Sequence, residues 1–194
     1  MVLILHPGLL SSHALLPVKS ATDIISGPEL LQAMNNLVDA VLAVHEDPSN
    51  LVLVSIANGG ISLGQWLQAE LTSHYKQSIP SGVVDITFHR DDIGLQPISK
   101  ISLPTALEFS IDDATVLLVD DVLDSGRTAR AAINELFDQG RPASIELLVM
   151  FDKMNHLLPI RPDFVGFSRK DPSAHRVRLD LDPNQPEQAK IFFE

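Results

Sequence analysis

The sequence predicts an α/β domain built on a central, mostly parallel sheet flanked by helices. Three observations carry that expectation. The runs LVLVSI (51–56), TVLLVD (115–120) and SIELLVMFD (144–152) are almost continuously apolar, as strands are when both faces of a parallel sheet are covered. Stretches with apolar residues at helical spacing alternate with these runs. Two adjacent acids, Asp120 and Asp121, close the middle run, at the carboxyl edge where open α/β sheets hold their ligands.

Each element follows in order. Residues 28–45 place Leu30, Leu31, Met34, Leu37, Val38, Val41 and Leu42 on a helical period, and Pro28 suits a first turn. Residues 51–56 read as a buried strand, 61–75 as a helix with Trp66 in the core, and 82–89 as a strand of alternating character. Residues 90–113 are polar, broken by Pro97 and Pro104, and without period; such stretches are usually lids, binding loops or disordered. A strand over 115–120, a helix over 125–140 stopped by Gly140, and a strand over 144–152 come next. Two short late strands are expected at 177–182 and 189–193. Residues 1–27 are expected to be an N-terminal extension without an assigned role, and 28–194 a single domain.

Composition narrows the function classes. The chain has 194 residues, enough for one domain with its own core. It contains no cysteine, so disulfide and thiol chemistry are excluded and a cytoplasmic setting is expected. The apolar N-terminus is broken by His6, Pro7 and Gly8 and lacks a basic lead, unlike a secretory signal. No apolar run approaches the length that spans a membrane. The formal net charge of -11 opposes general electrostatic binding to nucleic acid. The seven histidines show no metal-ligand spacing, so no zinc site is expected.

The stretch VLLVDDVLDSGRTAR (116–130) carries the chemistry. A strand, a short turn and a helix opening at Gly126 would present several backbone N–H groups in one concavity, a natural phosphate site. Ser125 and Thr128 add hydroxyl donors. Neither GxxxxGK[ST] nor GxGxxG is present, so this is not a Walker loop or a dinucleotide fingerprint. Acids beside a phosphate nest make sense if the phosphate is joined to a polyol whose hydroxyls donate to them, or if a divalent cation intervenes. A ribose 5-phosphate satisfies that requirement.

VLLVDDVLDSGRT resembles the phosphoribosyl-pyrophosphate (PRPP) signature of type I phosphoribosyltransferases. DITFHRDD (85–92), GRPASIELLVMFD (140–152) and LPIRPDFVG (158–166) further resemble, in order and spacing, the PyrR family of pyrimidine-operon regulators with uracil phosphoribosyltransferase activity. The resemblance implies the type I fold, with a flexible hood loop at about 90–113 and a short C-terminal β segment. It implies that uracil and PRPP, with magnesium, give UMP and pyrophosphate, and that pyrimidine nucleotides are sensed. Asp120 and Asp121 would hold the ribose hydroxyls. Ser125, Gly126, Arg127 and Thr128 would wrap the 5-phosphate. Ala57, Asn58, Gly59 and Gly60 would form the pyrophosphate loop, Arg90 and Lys100 would be the hood's cations, and Lys153 and Asn155 would lie near the base. Self-association as a dimer or tetramer is also implied.

The chain departs from that family at three places. The pyrophosphate loop, Ala57-Asn58-Gly59-Gly60, carries no basic residue where the family usually has one or two. The family's RNA-binding positions on the first helix read Asn35, Asn36 and Asp39 here, and those after the 144–152 strand read His156 and Arg161. With the acidic net charge, this argues against RNA binding. Asp124 sits where purine phosphoribosyltransferases place an acid that handles a ring nitrogen, making it a catalytic candidate. A hypoxanthine-guanine or xanthine phosphoribosyltransferase is therefore the alternative, and a catalytically weak nucleotide sensor a further one. A PRPP synthetase would need a longer, two-domain chain.

Overall fold

The computed structural model describes residues 24–57, 59–86, 105, 107–170 and 176–193. Its elements, in chain order, are β1 (Ile24–Ser26), α1 (Pro28–Val44), β2 (Leu51–Ile56), α2 (Gly60–Tyr75), β3 (Ser81–Val84), β4 (Thr115–Leu123), α3 (Arg127–Gln139), β5 (Ser144–Asp152), β6 (Phe164–Ser168), β7 (Val177–Asp180) and β8 (Lys190–Phe193). A five-stranded sheet runs in the order β3-β2-β4-β5-β6, and every pairing in it is parallel. A three-stranded antiparallel sheet, β1-β8-β7, joins the two ends of the described chain.

Alternation along the central strands sorts the core into two layers. Leu51, Leu53, Leu117 and Val119 pack with α1 and α2, where Leu30, Met34, Leu37, Val41, Leu63, Leu67 and Leu71 recur at helical spacing. Val52, Val54, Ile56, Val116 and Leu118 face the other way, against Ala129, Ala131, Ala132 and Leu136 of α3. All six residues of β2 are buried, as the continuous apolar run requires. Trp66 lies in the first layer, buried.

The small sheet also closes on the first layer, through Ile25, Val177, Ile191 and Phe193. The Phe193 ring stands edge-on to Phe151 near the end of β5, with centroids 5.2 Å apart. The Arg169 guanidinium lies 4.2 Å from the centroid of the same Phe193 ring. The antiparallel sheet is thereby placed beside the carboxyl ends of β4 and β5.

Several boundaries differ from the sequence expectation. β4 does not stop at Asp120 but runs to Leu123, because β5 continues beside it and pairs Phe151 with Val122 and Asp152 with Leu123. The acid pair therefore lies within the last residues of β4 rather than beyond the strand. α3 begins at Arg127 rather than residue 125. β6 and β1 were not expected. β6 is a five-residue edge strand that contains Gly166, and β1 has three residues that pair only with β8. Of the 90–113 stretch, 90–104 and 106 lie outside the described residues, as do 87–89 of the strand expected over 82–89. Leu107, Phe109 and Ile111 pack on the α3 side of the sheet. No helix among the described residues is long and apolar enough to cross a membrane.

Candidate active site

Three turns meet at the carboxyl edge of the sheet. The first follows β2. Ala57 N–H donates to Val84 O at 2.9 Å, and Gly59 and Gly60 lead into α2 with no side chain capping the helix. A β-carbon on Gly60 would lie 2.2 Å from the carbonyl oxygen of Val119. Only glycine permits that approach of the turn to β4. Asn58 lies outside the described residues, as do Arg90 and Lys100.

The second begins in the last residues of β4, which hold the acids, and turns after Leu123. Asp120 is buried and Asp121 is partly buried. Asp121 N–H donates to the Asp120 carboxylate at 3.0 Å. Burial pushes the Asp120 carboxyl well above the usual carboxylate range, and the adjacent Asp121 charge pushes it further. Burial raises Asp121 as well, while hydrogen bonds from Asp120 and from backbone N–H groups, including that of Leu179 in β7, favour its ionised form. Asp120 is thus the member that holds a proton longer. Two such groups side by side call for hydroxyl donors or a cation.

Downstream, Gly126 adopts a left-handed conformation, with φ of 87°, which glycine accepts without strain. It turns the chain into α3, again without a side-chain cap. Arg127 N–H donates to the Ser125 hydroxyl at 3.3 Å. Arg127 and Thr128 are exposed at the start of the helix, so 125–128 presents hydroxyls and first-turn backbone amides to an anion.

The third turn follows β5. Lys153 Nζ lies 2.7 Å from Asp124 Oδ2, and Asn155 Nδ2 donates to Asp124 Oδ1 at 2.9 Å. Asp124, Lys153 and Asn155, read separately from the sequence, form one cluster. His156 does not face solvent as an RNA-contacting residue would. Its side chain is 7% exposed, and Nε2 lies 2.7 Å from Asp152 Oδ1. Arg161 is exposed and donates to the carbonyls of Leu158 and Ile160. Asn35, Asn36 and Asp39 are exposed on α1.

The sequence reading placed His156 only among the family's RNA-binding positions and gave Asp152 no role, because an acid ending a strand looks like an ordinary terminus; the structure pairs the two. Their i, i+4 spacing around Lys153 and Asn155 was the available signal. No group of three or more His, Cys, Asp or Glu among the described residues is arranged to hold a metal.

This combination of parallel sheet, buried acid pair and two helix-opening glycine turns defines a class. The phosphoribosyl transferase domain matches residues 21–180. Among solved structures, the chain superposes on a hypoxanthine phosphoribosyltransferase of Trypanosoma cruzi with a TM-score of 0.60, at 19% identity over 88% of this chain and 96% of that one. It superposes on one from Staphylococcus aureus with a TM-score of 0.62, at 18% identity over 87% and 89%. Those likenesses establish the fold alone. In sequence, the chain is 44% identical over 149 residues to the bifunctional protein PyrR of Geobacter sp. (strain M21), covering 75% of this chain and 82% of the relative. It is 37% identical over 158 residues to that of Deinococcus deserti, covering 81% and 86%. The chain belongs to the PyrR family of phosphoribosyltransferases.

Proposed function

We propose that the protein transfers the phosphoribosyl group of PRPP to uracil, giving UMP and pyrophosphate. The observation that carries this reading is the acid pair, Asp120 and Asp121, set between two uncapped helix starts. The ribose hydroxyls donate to the two acids. The 5-phosphate takes the amides and hydroxyls of 125–128, and the pyrophosphate takes the turn at 57–60 with its glycines. The hood expected at about 90–113, with Arg90 and Lys100, belongs to the same reading.

Magnesium accompanies PRPP in this reading, and the residues present fit it. Two carboxylates are too few for an all-protein cage but match the usual way magnesium is held, by one or two carboxylates plus substrate phosphates. Bound there, the ion would supply positive charge to the leaving pyrophosphate. The chain's own contribution is positioning: it fixes ribose, phosphate and base in line and excludes water from the reacting carbon. No covalent nucleophile is required.

The base lies against Lys153 and Asn155. Uracil offers two carbonyl acceptors flanking an N–H donor. The Lys153 ammonium and the amide of Asn155 supply both complements. Both oxygens of Asp124 already accept hydrogen bonds from those residues, so its role for uracil is to orient them. The purine alternative draws on the same Asp124, whose carboxylate beside a bound purine would act on a ring nitrogen. The missing cations at Ala57 and Asn58 favour slow turnover and a role in sensing UMP. Nucleotide-dependent regulation without strong RNA binding, and self-association, complete the reading.

The test is the double substitution Asp120→Asn with Asp121→Asn. Calorimetry should show loss of PRPP binding in magnesium buffer while the far-ultraviolet circular dichroism stays that of the wild type. Undiminished PRPP affinity would overturn the assignment of the acids.

A further inference from the structure

We propose that Asp152 and His156 form a clasp that positions Lys153 and Asn155 for the base, so that His156 is a positioning residue for base recognition. The inference rests on the assignment of the base to Lys153 and Asn155. Asp152 closes β5 and is held on both sides, paired with Leu123 of β4 and Ser168 of β6. It is 5% exposed, so its side chain is a fixed point.

One oxygen of that carboxylate, Oδ1, receives two hydrogen bonds. Met154 N–H donates to it at 2.7 Å, and so does His156 Nε2, also at 2.7 Å. The first bond closes a local Asp-led turn. The second ties the residue two positions further on to the same atom. Between them Met154 adopts a left-handed φ of 53°, which a non-glycine residue holds only where the surroundings impose it.

The consequence is geometric. With residues 152, 154 and 156 drawn to one atom, the intervening Lys153 and Asn155 side chains both reach Asp124. The far end of the loop is fastened separately, since the N–H groups of Leu157 and Leu158 donate to Ser125 O at 3.0 and 3.2 Å. Removing the histidine bond therefore frees the base-reading part of the loop and leaves its attachment to the phosphate turn in place.

The experiment compares UMP with ribose 5-phosphate, which lacks the base, by calorimetry. His156→Met fills similar space without a donor, and His156→Gln retains an amide donor. The wild type should bind UMP more tightly than ribose 5-phosphate. In His156→Met that margin should fall about tenfold, the worth of one charge-assisted hydrogen bond, with ribose 5-phosphate affinity unchanged. In His156→Gln it should return toward the wild-type value. A margin kept in His156→Met, or equal weakening of both ligands, would overturn the clasp. No margin in the wild type would instead overturn the base assignment, and the clasp with it.

Discussion

A β-carbon on Gly59 would lie 2.3 Å from Oδ1 of Asp121 and 3.1 Å from Oδ1 of Asp120. The turn after β2 is therefore seated on the acid pair, and two segments far apart in sequence share one surface. Gly59→Ala must displace either the turn or the carboxylate. PRPP affinity should fall about tenfold or more, measured by calorimetry, with a small loss of stability. Gly60→Ala meets the backbone carbonyl of Val119 instead, which yields less readily. That substitution should cost about 1–3 kcal/mol in a denaturant titration.

Asp120 gives a stability prediction with a definite sign. Its carboxyl is raised by burial and by its neighbour. Stability from a raised carboxyl is fully present below the unfolded value of about 3.9 and is lost as the pH climbs through the folded value. Neutral pH is therefore the range in which the native chain carries the cost of the charge. Asp120→Asn should melt higher than the wild type at neutral pH, by ~3 °C for each kcal/mol gained. The advantage should shrink as the pH approaches about 4. Equal midpoints for the two proteins at neutral pH would contradict it.

Lys153 should matter for the base and not for the sugar phosphate. Lys153→Met removes the ammonium that pairs with Asp124 and should lower kcat/KM for the base by roughly thirtyfold, about 2 kcal/mol. PRPP affinity should stay within about twofold, because Lys153 is not part of the 125–128 turn. A parallel loss of PRPP binding would show that the lysine supports the site as a whole.

Much of this arrangement was legible in the sequence, and the reasons are local. Strands buried on both faces print as continuous apolar runs, which is why β2, β4 and β5 were found. The acid pair and Gly126 stood out because their spacing is that of an anion turn, and the structure buries Asp120 and gives Gly126 a left-handed φ. β1 and β6 escaped because short edge strands have little apolar surface to bury, and β6 contains Gly166. The end of β4 was misplaced because charged residues normally mark a strand's exit, whereas here pairing with β5 carries the strand through Asp121. The Asp124–Lys153–Asn155 cluster was visible only as separate candidates, since joining positions 124 and 153 requires the parallel register of β4 with β5.

RNA binding offers a further check. The exposed positions Asn35, Asn36 and Asp39 on α1 supply no cation, and His156 is turned inward to Asp152. A filter-binding titration with a pyrimidine-operon leader RNA across a salt series should show weak affinity with a shallow salt slope, below about three phosphate contacts. Tight binding with a steep slope would place a basic surface elsewhere on the molecule.

The most direct measurement is nucleotide formation from PRPP and magnesium, with uracil, hypoxanthine, guanine and xanthine offered in separate reactions. UMP from uracil, at a modest rate set by a pyrophosphate turn without a cation, is the expected result. A purine nucleotide formed in preference to UMP would contradict the uracil assignment and give Asp124 the catalytic role.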